Sequence, residues 1–170
     1  MNLIQHPHPT LIKKAMPVAT FGRSVRKLVH KMQGIMYDYD GVGLAAPQVD
    51  ESLKVFVWDD RRGHRGYIIN PDIHYHTGQG LNVQEEGCLS VEQGKKYLKI
   101  PRWDYVRLEG YDIAGHKLMR EAHGLLARIF QHEMDHLLGV LILSKESPKK
   151  PVIPIESPAK IRGSQLRGEA

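Results

Sequence analysis

The 170 residues suffice for one domain with a buried core, and 41% hydrophobic with 25% charged residues is an ordinary balance for a soluble globular protein. No apolar run approaches the length of a membrane span, which argues against a membrane protein. The net charge is +5, and residues 145–170 contain six Lys/Arg and three Glu. Residues 1–144 are therefore nearly neutral, and specific DNA binding is not expected.

The chain has one cysteine, so no internal disulfide can form, and its start lacks the basic and apolar regions of a signal peptide. Both features lead us to expect a reducing compartment, the cytoplasm or an organelle. A lone cysteine such as Cys88 is usually a small buried apolar residue, and a metal-binding role has to be argued against that default.

Residues 6–9, which read His-Pro-His-Pro, predict an extended arm on the surface, because each proline disfavours helical geometry in the residue before it. A helix is then predicted from Thr20 or Ser24 to about Tyr39. Its buried face is marked by apolar residues at helical spacing: Phe21, Val25, Leu28, Met32, Ile35, Met36 and Tyr39.

Residues 41–48 read Gly-Val-Gly-Leu-Ala-Ala-Pro-Gln and join this helix to the first strand. Glycines permit positive φ or close approach of another backbone, and the proline stiffens the exit. The segment is either a plain helix-to-strand turn or a loop held against a ligand, with the side-chain amide of Gln48 as a positioned donor.

Strands are predicted at residues 53–58, 67–70, 97–100, 103–110 and 116–121, with a hairpin turn at 112–115. Pro71 is expected to confine the chain after it to an edge strand or to a new segment. One long helix, a series of strands and a last helix predict a single α+β domain of mostly antiparallel sheets packed around the C-terminal helix.

That last helix is predicted over residues 122–138 and contains His132-Glu133-x-x-His136. Imidazoles at positions i and i+4 lie one turn apart on the same face, so both can bind one metal ion. Glu133 lies about 100° round the helix, where it can act on a water molecule without becoming a third ligand.

By itself this pattern also fits an ordinary solvated helix face. Leu125 and Ile129 continue the stripe of the two histidines, which favours a buried pair, and a metal ion would satisfy buried imidazoles that otherwise lack partners. Gly139 suits the C-terminal cap of the helix.

A hydrolytic metal site needs three protein ligands and an open position. Downstream of the helix the candidates are Glu146, Glu156 and Glu169, all in a proline-rich basic tail over residues 144–170. Upstream, Cys88 lies between a turn and predicted strands, from which a thiolate could reach the buried helix face.

Three segments together resemble the signature motifs of peptide deformylases: residues 41–48, Glu86-Gly87-Cys88-Leu89-Ser90 and Gln131-His132-Glu133-Met134-Asp135-His136-Leu137. They occur in the family's order with fitting separations, and the likeness extends from about Leu3 to Leu143. The resemblance implies a hydrolase that removes the formyl group from N-formylmethionine at the start of newly made bacterial or organellar polypeptides.

The resemblance also implies a role for each matching residue. Cys88, His132 and His136 would bind one divalent metal ion per chain, typically Fe²⁺, with Zn²⁺, Ni²⁺ or Co²⁺ as substitutes in preparations. Glu133 would be general base and acid, while the Gln48 amide and the Leu89 backbone N–H would stabilise the oxyanion. Contacts to the peptide would come from a further set: Val42, Gly43, Gly87, Leu125 and Ile129.

Residues 90–96, Ser-Val-Glu-Gln-Gly-Lys-Lys, depart from the family pattern, which often has a proline soon after Cys-Leu-Ser and an arginine a few residues on. The peptide preference beyond methionine is therefore not predicted. An endopeptidase and a non-catalytic binding protein of the same fold are the alternative functions.

The expected organisation is a catalytic domain over residues 1–143 followed by the tail over residues 144–170. The expected partners are formyl-Met nascent peptides and the ribosome exit region. We expect a monomer that contacts no membrane.

Overall fold

The computed structural model describes residues 1–76, Gly78 and residues 80–145. Its helices and strands, in chain order, are α1 (Arg23–Asp38), β1 (Gly43–Ala45), β2 (Val55–Asp59), β3 (Arg65–Tyr75), β4 (Leu81–Gly87), β5 (Tyr97–Trp103), β6 (Tyr105–Tyr111), β7 (Lys117–His123) and α2 (Gly124–Leu137). Short 3₁₀ helices cover Pro9–Ile12, Ala46–Val49, Glu92–Gly94 and Ile142–Lys145. Within this part of the chain no helix is long and apolar enough to cross a membrane.

The strands of the described residues form two antiparallel sheets. Five strands form one sheet in the order β1-β2-β3-β6-β7, and β4 pairs with β5 in a separate two-stranded sheet. The predicted α+β fold with antiparallel sheets and a C-terminal helix is confirmed. The hairpin predicted at residues 112–115 joins β6 to β7, with Tyr111 paired to Lys117.

The five-stranded sheet is covered on both faces, which is why β2 reads as an unbroken apolar run. Phe56 and Trp58 pack on one side against Phe130 of α2. Val55 and Val57 join the cluster on the other side, which α1 covers. Helix α2 therefore packs against the large sheet on one side, and its residues from Arg128 to Asp135 contact the β4–β5 hairpin.

Helix α1 agrees with its predicted span, and Val25, Leu28, Met32 and Met36 are buried as expected. The prediction that Tyr39 is buried is wrong, because the helix ends at Asp38 and the Tyr39 side chain is 53% exposed. One residue beyond the helix end, the helical period no longer decides which way a side chain points.

The prediction for Pro71 is confirmed. Strand β3 continues through Pro71 to Tyr75, but β2 pairs only with residues 65–69. Within the described part of the chain, residues 72–75 pair with β6 alone and form a local edge. The register shifts between Ile69 and Asp72, and Asn70 has a φ of 49°. At such an irregularity the ladder is already interrupted, so the missing N–H of proline costs little.

Strand β4 was not predicted from the sequence. On one row Glu86 is buried, Asn82 is half-buried and Gln84 is exposed. On the other row Leu81 and Val83 are 42% and 59% exposed. This reverses the usual alternation of apolar inward and polar outward residues. The partners that make a buried carboxylate acceptable come from other elements, so no local pattern could reveal the strand.

The N-terminal arm is non-helical over residues 6–8, as predicted. A 3₁₀ helix begins at Pro9, within the predicted arm, and buries Leu11. The helical turn Ile142–Lys145 extends two residues past the predicted domain boundary at Leu143. The rest of the predicted tail, residues 146–170, lies outside the described residues.

Candidate active site

Three side chains from two distant parts of the chain converge at the inner end of a cleft. Helix α2 supplies His132 and His136, and Cys88 follows directly after β4. The Cys88 Sγ atom lies 3.3 Å from His136 Nε2, which lies 3.3 Å from His132 Nε2. One ligand atom from each of the three residues falls within 4.8 Å of the other two. A thiolate and two imidazoles are a donor set suited to Fe²⁺ or Zn²⁺.

The carboxylate of Glu86 holds β4 and α2 together next to these side chains. It is 6% exposed and accepts two hydrogen bonds of 2.8 Å from Arg102 on β5 and one of 2.6 Å from Arg128 on α2. Its Oε2 atom lies 3.0 Å from His132 Nδ1. Burial alone would raise the pKa of Glu86, but the bonds from Arg102 and His132 hold it well below its usual range. Glu86 is therefore ionised, and Cys88, two residues further on, is placed against the helix.

The contact with Glu86 also orients the first imidazole. Because His132 Nδ1 donates to the carboxylate, Nε2 is the ring nitrogen that faces Cys88 and His136. Burial alone would lower the pKa of His132, but hydrogen bonds with Cys88 and Glu86 raise it to about 10. Burial and the charge of His132 lower the pKa of His136 well below its usual value. A divalent cation bound by all three residues would replace the proton held between them.

Glu133 lies beside this cluster with one carboxylate oxygen unpartnered. The residue is 3% exposed, and its Oε2 atom has no hydrogen-bond partner among the described residues. Burial raises the pKa of Glu133 to about 7. A carboxyl group with a pKa near neutrality and a free oxygen is suited to accept and return a proton.

Gln48 is locked in one orientation on the opposite side of Cys88. The backbone N–H of Ala45 donates to its Oε1 at 2.8 Å, so the amide nitrogen faces the cluster. That nitrogen lies 3.2 Å from Ser90 Oγ and 3.8 Å from Cys88 Sγ. Residues 41–48 are therefore not a plain turn: β1 and the 3₁₀ helix Ala46–Val49 hold the Gln48 amide toward the site, as the second interpretation expected.

The N-terminal arm ties the Gln48 and Leu89 loops together. The backbone N–H of Ile4 donates to the Gln48 carbonyl at 2.9 Å, and that of His6 donates to the Ser90 carbonyl at 2.8 Å. The Gln5 side-chain amide donates to the Leu89 carbonyl at 2.8 Å. The arm thus holds Gln48 and the residues after Cys88 in fixed positions relative to each other.

A cavity of about 300 Å³ opens over Cys88, His132 and Glu133. Every residue that the sequence assigned to peptide contacts or to the oxyanion lines it: Val42, Gly43, Gln48, Gly87, Leu89, Leu125 and Ile129. His136 lies behind the cavity wall and is 1% exposed. The structure therefore brings the three sequence segments to one place.

Several residues around this cavity were missed by the sequence reading. Arg128 and Tyr97 line it, Glu86 and Arg102 support it, and Gln5 braces its loops. Arg128 lies three residues after Leu125 and four before His132, so helical spacing could have placed it on the same face. The downstream carboxylates considered as third ligands, Glu146, Glu156 and Glu169, lie outside the described residues.

Comparisons with known proteins agree on one family. A sequence model of the family described as polypeptide deformylase matches residues 1–152. The peptide deformylase of Thermotoga maritima is 42% identical over 142 residues, which is 84% of each chain. Peptide deformylase 1 of Ralstonia nicotianae is 41% identical over 152 residues, 88% of each chain. The crystal structure of the Thermotoga maritima enzyme superimposes with a TM-score of 0.81 and 38% identity, covering 86% of this chain and 97% of that one.

Proposed function

The chain belongs to the polypeptide deformylase family, and from this premise we propose that Cys88, His132 and His136 bind its catalytic metal and that Glu133 moves the protons. The protein is a metal-dependent hydrolase that removes the N-formyl group from N-formylmethionyl ends of newly made polypeptides and releases formate. The observation that carries the assignment of roles is the convergence of one thiol and two imidazoles beside a buried, unpartnered carboxylate oxygen.

The donor set fits a divalent metal ion. Two Nε2 atoms and one Sγ atom face each other, and the Glu86 carboxylate orients His132 from behind. When bound, such an ion supplies Lewis acidity toward water and toward a carbonyl oxygen. The protein's contribution is the fixed positions of the three donors and a cleft that admits the formyl group.

Glu133 acts as general base and then as general acid. Its unpartnered oxygen takes a proton from the attacking water and later delivers it to the leaving nitrogen, so formate and a free amine result. The raised pKa of about 7 lets one carboxyl group perform both transfers near neutral pH.

The oxyanion that forms on the formyl carbon is stabilised by two donors, the Gln48 side-chain amide and the Leu89 backbone N–H. The bond from Ala45 keeps the Gln48 amide nitrogen directed at the site, and Gln5 holds the Leu89 peptide through its carbonyl. Pre-oriented donors of this kind typically contribute about 10²–10³-fold each to the rate.

The methionine side chain enters the cavity between α2 and the loop over residues 41–48. Leu125 and Ile129 present apolar surface there, while Val42, Gly43 and Gly87 supply backbone close to the peptide.

Gly43 has a second role, in the placement of Glu133. A Cβ atom at residue 43 would lie 2.3 Å from Glu133 Oε1 and 3.1 Å from Ile129 Cγ2. We expect Gly43→Ala to push the carboxylate aside and to lower kcat about 10²-fold, since misplacing a catalytic group by about 1 Å can cost that much. Steady-state kinetics on formyl-Met-Ala-Ser, with metal content measured in parallel, checks this.

The matched control is Gly34→Ala, in the last half of α1, where a new Cβ atom would have no described residue within 4 Å. This variant should keep full activity and gain slightly in stability, because alanine is the better helix former. Equal activity of the Gly43→Ala and wild-type proteins would contradict this role of Gly43, because catalysis would then not depend on the exact position of the Glu133 carboxylate.

Fe²⁺ is the proposed native metal, with Zn²⁺, Ni²⁺ or Co²⁺ as substitutes. A thiolate beside an accessible ferrous ion is vulnerable to oxygen, so the iron form should lose activity in air while a nickel form keeps it. Anaerobic purification with elemental analysis, followed by deformylation assays before and after exposure to air, provides the measurement. Equal stability of both forms in air would argue against iron.

Nascent formyl-methionyl chains are the substrates, so we propose a location where ribosomes make them, the bacterial cytoplasm or an organelle. We also propose that the protein acts near the ribosome exit region and that it is a monomer. Residues 1–143 would form the catalytic domain and residues 144–170 a tail. Co-sedimentation with ribosomes and size-exclusion chromatography with light scattering test the first two.

A further inference from the structure

The outward face of α1 collects positive charge, although residues 1–144 are nearly neutral as a whole. No acidic residue occurs in the helix before Asp38. Exposed side chains at helical spacing share one face of its first turns. We call this set the basic face, and its members are Arg23, Arg26, Lys27, His30 and Lys31.

The four Arg and Lys side chains of the basic face form no ion pair with any described residue. Elsewhere on the surface such pairs do form, for example between Arg61 and Asp40 and between Arg107 and Glu109. Lys31 lines a surface cavity together with two acidic residues and still makes no ion pair with either of them in the described part of the chain. The charge of the basic face is therefore not offset by contacts within the described residues.

Helix formation by itself does not account for these charges. Arg23, Lys27 and Lys31 follow one another at intervals of four residues, so each repels the next. Arg23 also lies at the positive end of the helix dipole. The N-cap residue Gly22 makes no side-chain hydrogen bond to the helix, and the first turn has no acidic residue. Each of these features disfavours cations at this position, and a bound polyanion would relieve the repulsion.

We propose that the basic face binds the phosphate backbone of RNA without reading its base sequence. Residues 23–31 span about 12 Å at 1.5 Å per residue. This length meets several phosphates, because those of a nucleic-acid duplex follow one another at about 3.4 Å along each strand. The exposed side chains between Arg23 and Gly34 include no apolar residue, which insertion into a lipid surface would require. Newly made polypeptides also emerge where RNA is abundant, so RNA is the fitting polyanion.

The basic face and the cavity lie on opposite sides of the large sheet. Helix α1 covers the side with Val55 and Val57, while α2, with the proposed metal ligands, packs on the side with Phe56 and Trp58. RNA bound to the first turns of α1 would therefore leave the cavity open to a peptide. RNA binding at this face depends on neither the metal ligands nor the formyl-methionyl substrate.

The test measures binding of a fluorescein-labelled RNA duplex of about 20 base pairs by anisotropy, at salt concentrations from about 50 to 200 mM. Arg23→Gln combined with Lys27→Gln should weaken binding about tenfold or more at low salt. The slope of log Kd against log salt should fall by about 1.5, because each phosphate contact contributes about 0.7–0.9. Turnover of formyl-Met-Ala-Ser should stay at the wild-type level, which would show that the variant is folded.

Lys13→Gln combined with Lys14→Gln is the matched control, because it removes the same charge from another part of the surface. Both lysines are exposed, and the Lys13 backbone packs against Gly139 beyond the end of α2. This control should keep the wild-type affinity and salt slope. Equal losses in the two double variants would show an effect of net charge alone and would overturn the proposal.

Two further outcomes would also overturn it. The first is a wild-type protein that binds no RNA, or an α1 variant that binds RNA as wild type does, since the contact would then be absent or lie in another segment such as residues 144–170. The second comes from flotation with vesicles that contain phosphatidylglycerol. An α1 variant that loses vesicle binding but keeps RNA binding would assign the basic face to a membrane.

Discussion

Glu133→Ala is expected to lower kcat for formyl-Met-Ala-Ser by about 10⁴-fold, at the upper end of the range of about 10²–10⁴ for general acid–base catalysis. The upper end applies because one carboxyl group serves both the attack of water and the departure of the amine. KM should change little, since the carboxylate acts in the transition state rather than in substrate binding. Metal content should stay near one ion per chain, because the Cys88, His132 and His136 atoms are untouched.

Two observations separate a proton-transfer role from a structural one. Glu133→Asp keeps the charge but shortens the reach, so it should recover only part of the lost rate. Thermal unfolding of Glu133→Ala should occur at or above the wild-type temperature, because a buried carboxyl oxygen without a partner is removed. Turnover of Glu133→Ala within tenfold of wild type would exclude Glu133 as the general base.

Cys88→Ala, His132→Ala and His136→Ala are each expected to lose bound metal and activity together. Removal of a residue that merely supports a ligand already costs about 10–100-fold in metal affinity, so loss of a direct ligand should cost more. Cys88 gives the most informative result, because a buried cysteine that served only as a small apolar residue would tolerate alanine with its metal intact. Elemental analysis of each purified variant beside the deformylation assay measures both effects.

His30→Ala serves as the control for these variants, since His30 is an exposed histidine of α1. It should keep wild-type metal content and turnover. Stoichiometric metal with near-normal turnover in Cys88→Ala would show that the third donor is another residue. Glu86 would then be the first to examine, because its carboxylate already contacts His132.

The sequence by itself determined the parts of this site that depend on local geometry. In any α-helix, residues four apart lie on one face, so His132 and His136 form a pair wherever α2 packs. The apolar stripe through Leu125 and Ile129 continues from the histidines and lines the cavity beside His132. Gly139, with a φ of 74°, ends the helix as predicted. The three motifs sufficed to identify the family, because their order and spacing are properties of the chain rather than of its folded shape.

Only the tertiary structure decided how Cys88 reaches the helix. Strand β4 buries a carboxylate and exposes Leu81 and Val83, which defeats any prediction from alternation. Its Glu86 is made stable by Arg102, Arg128 and His132, which lie 16, 42 and 46 residues further along the chain. An ionised group can be buried only where opposite charges meet it, and those charges come together only when the whole chain has folded.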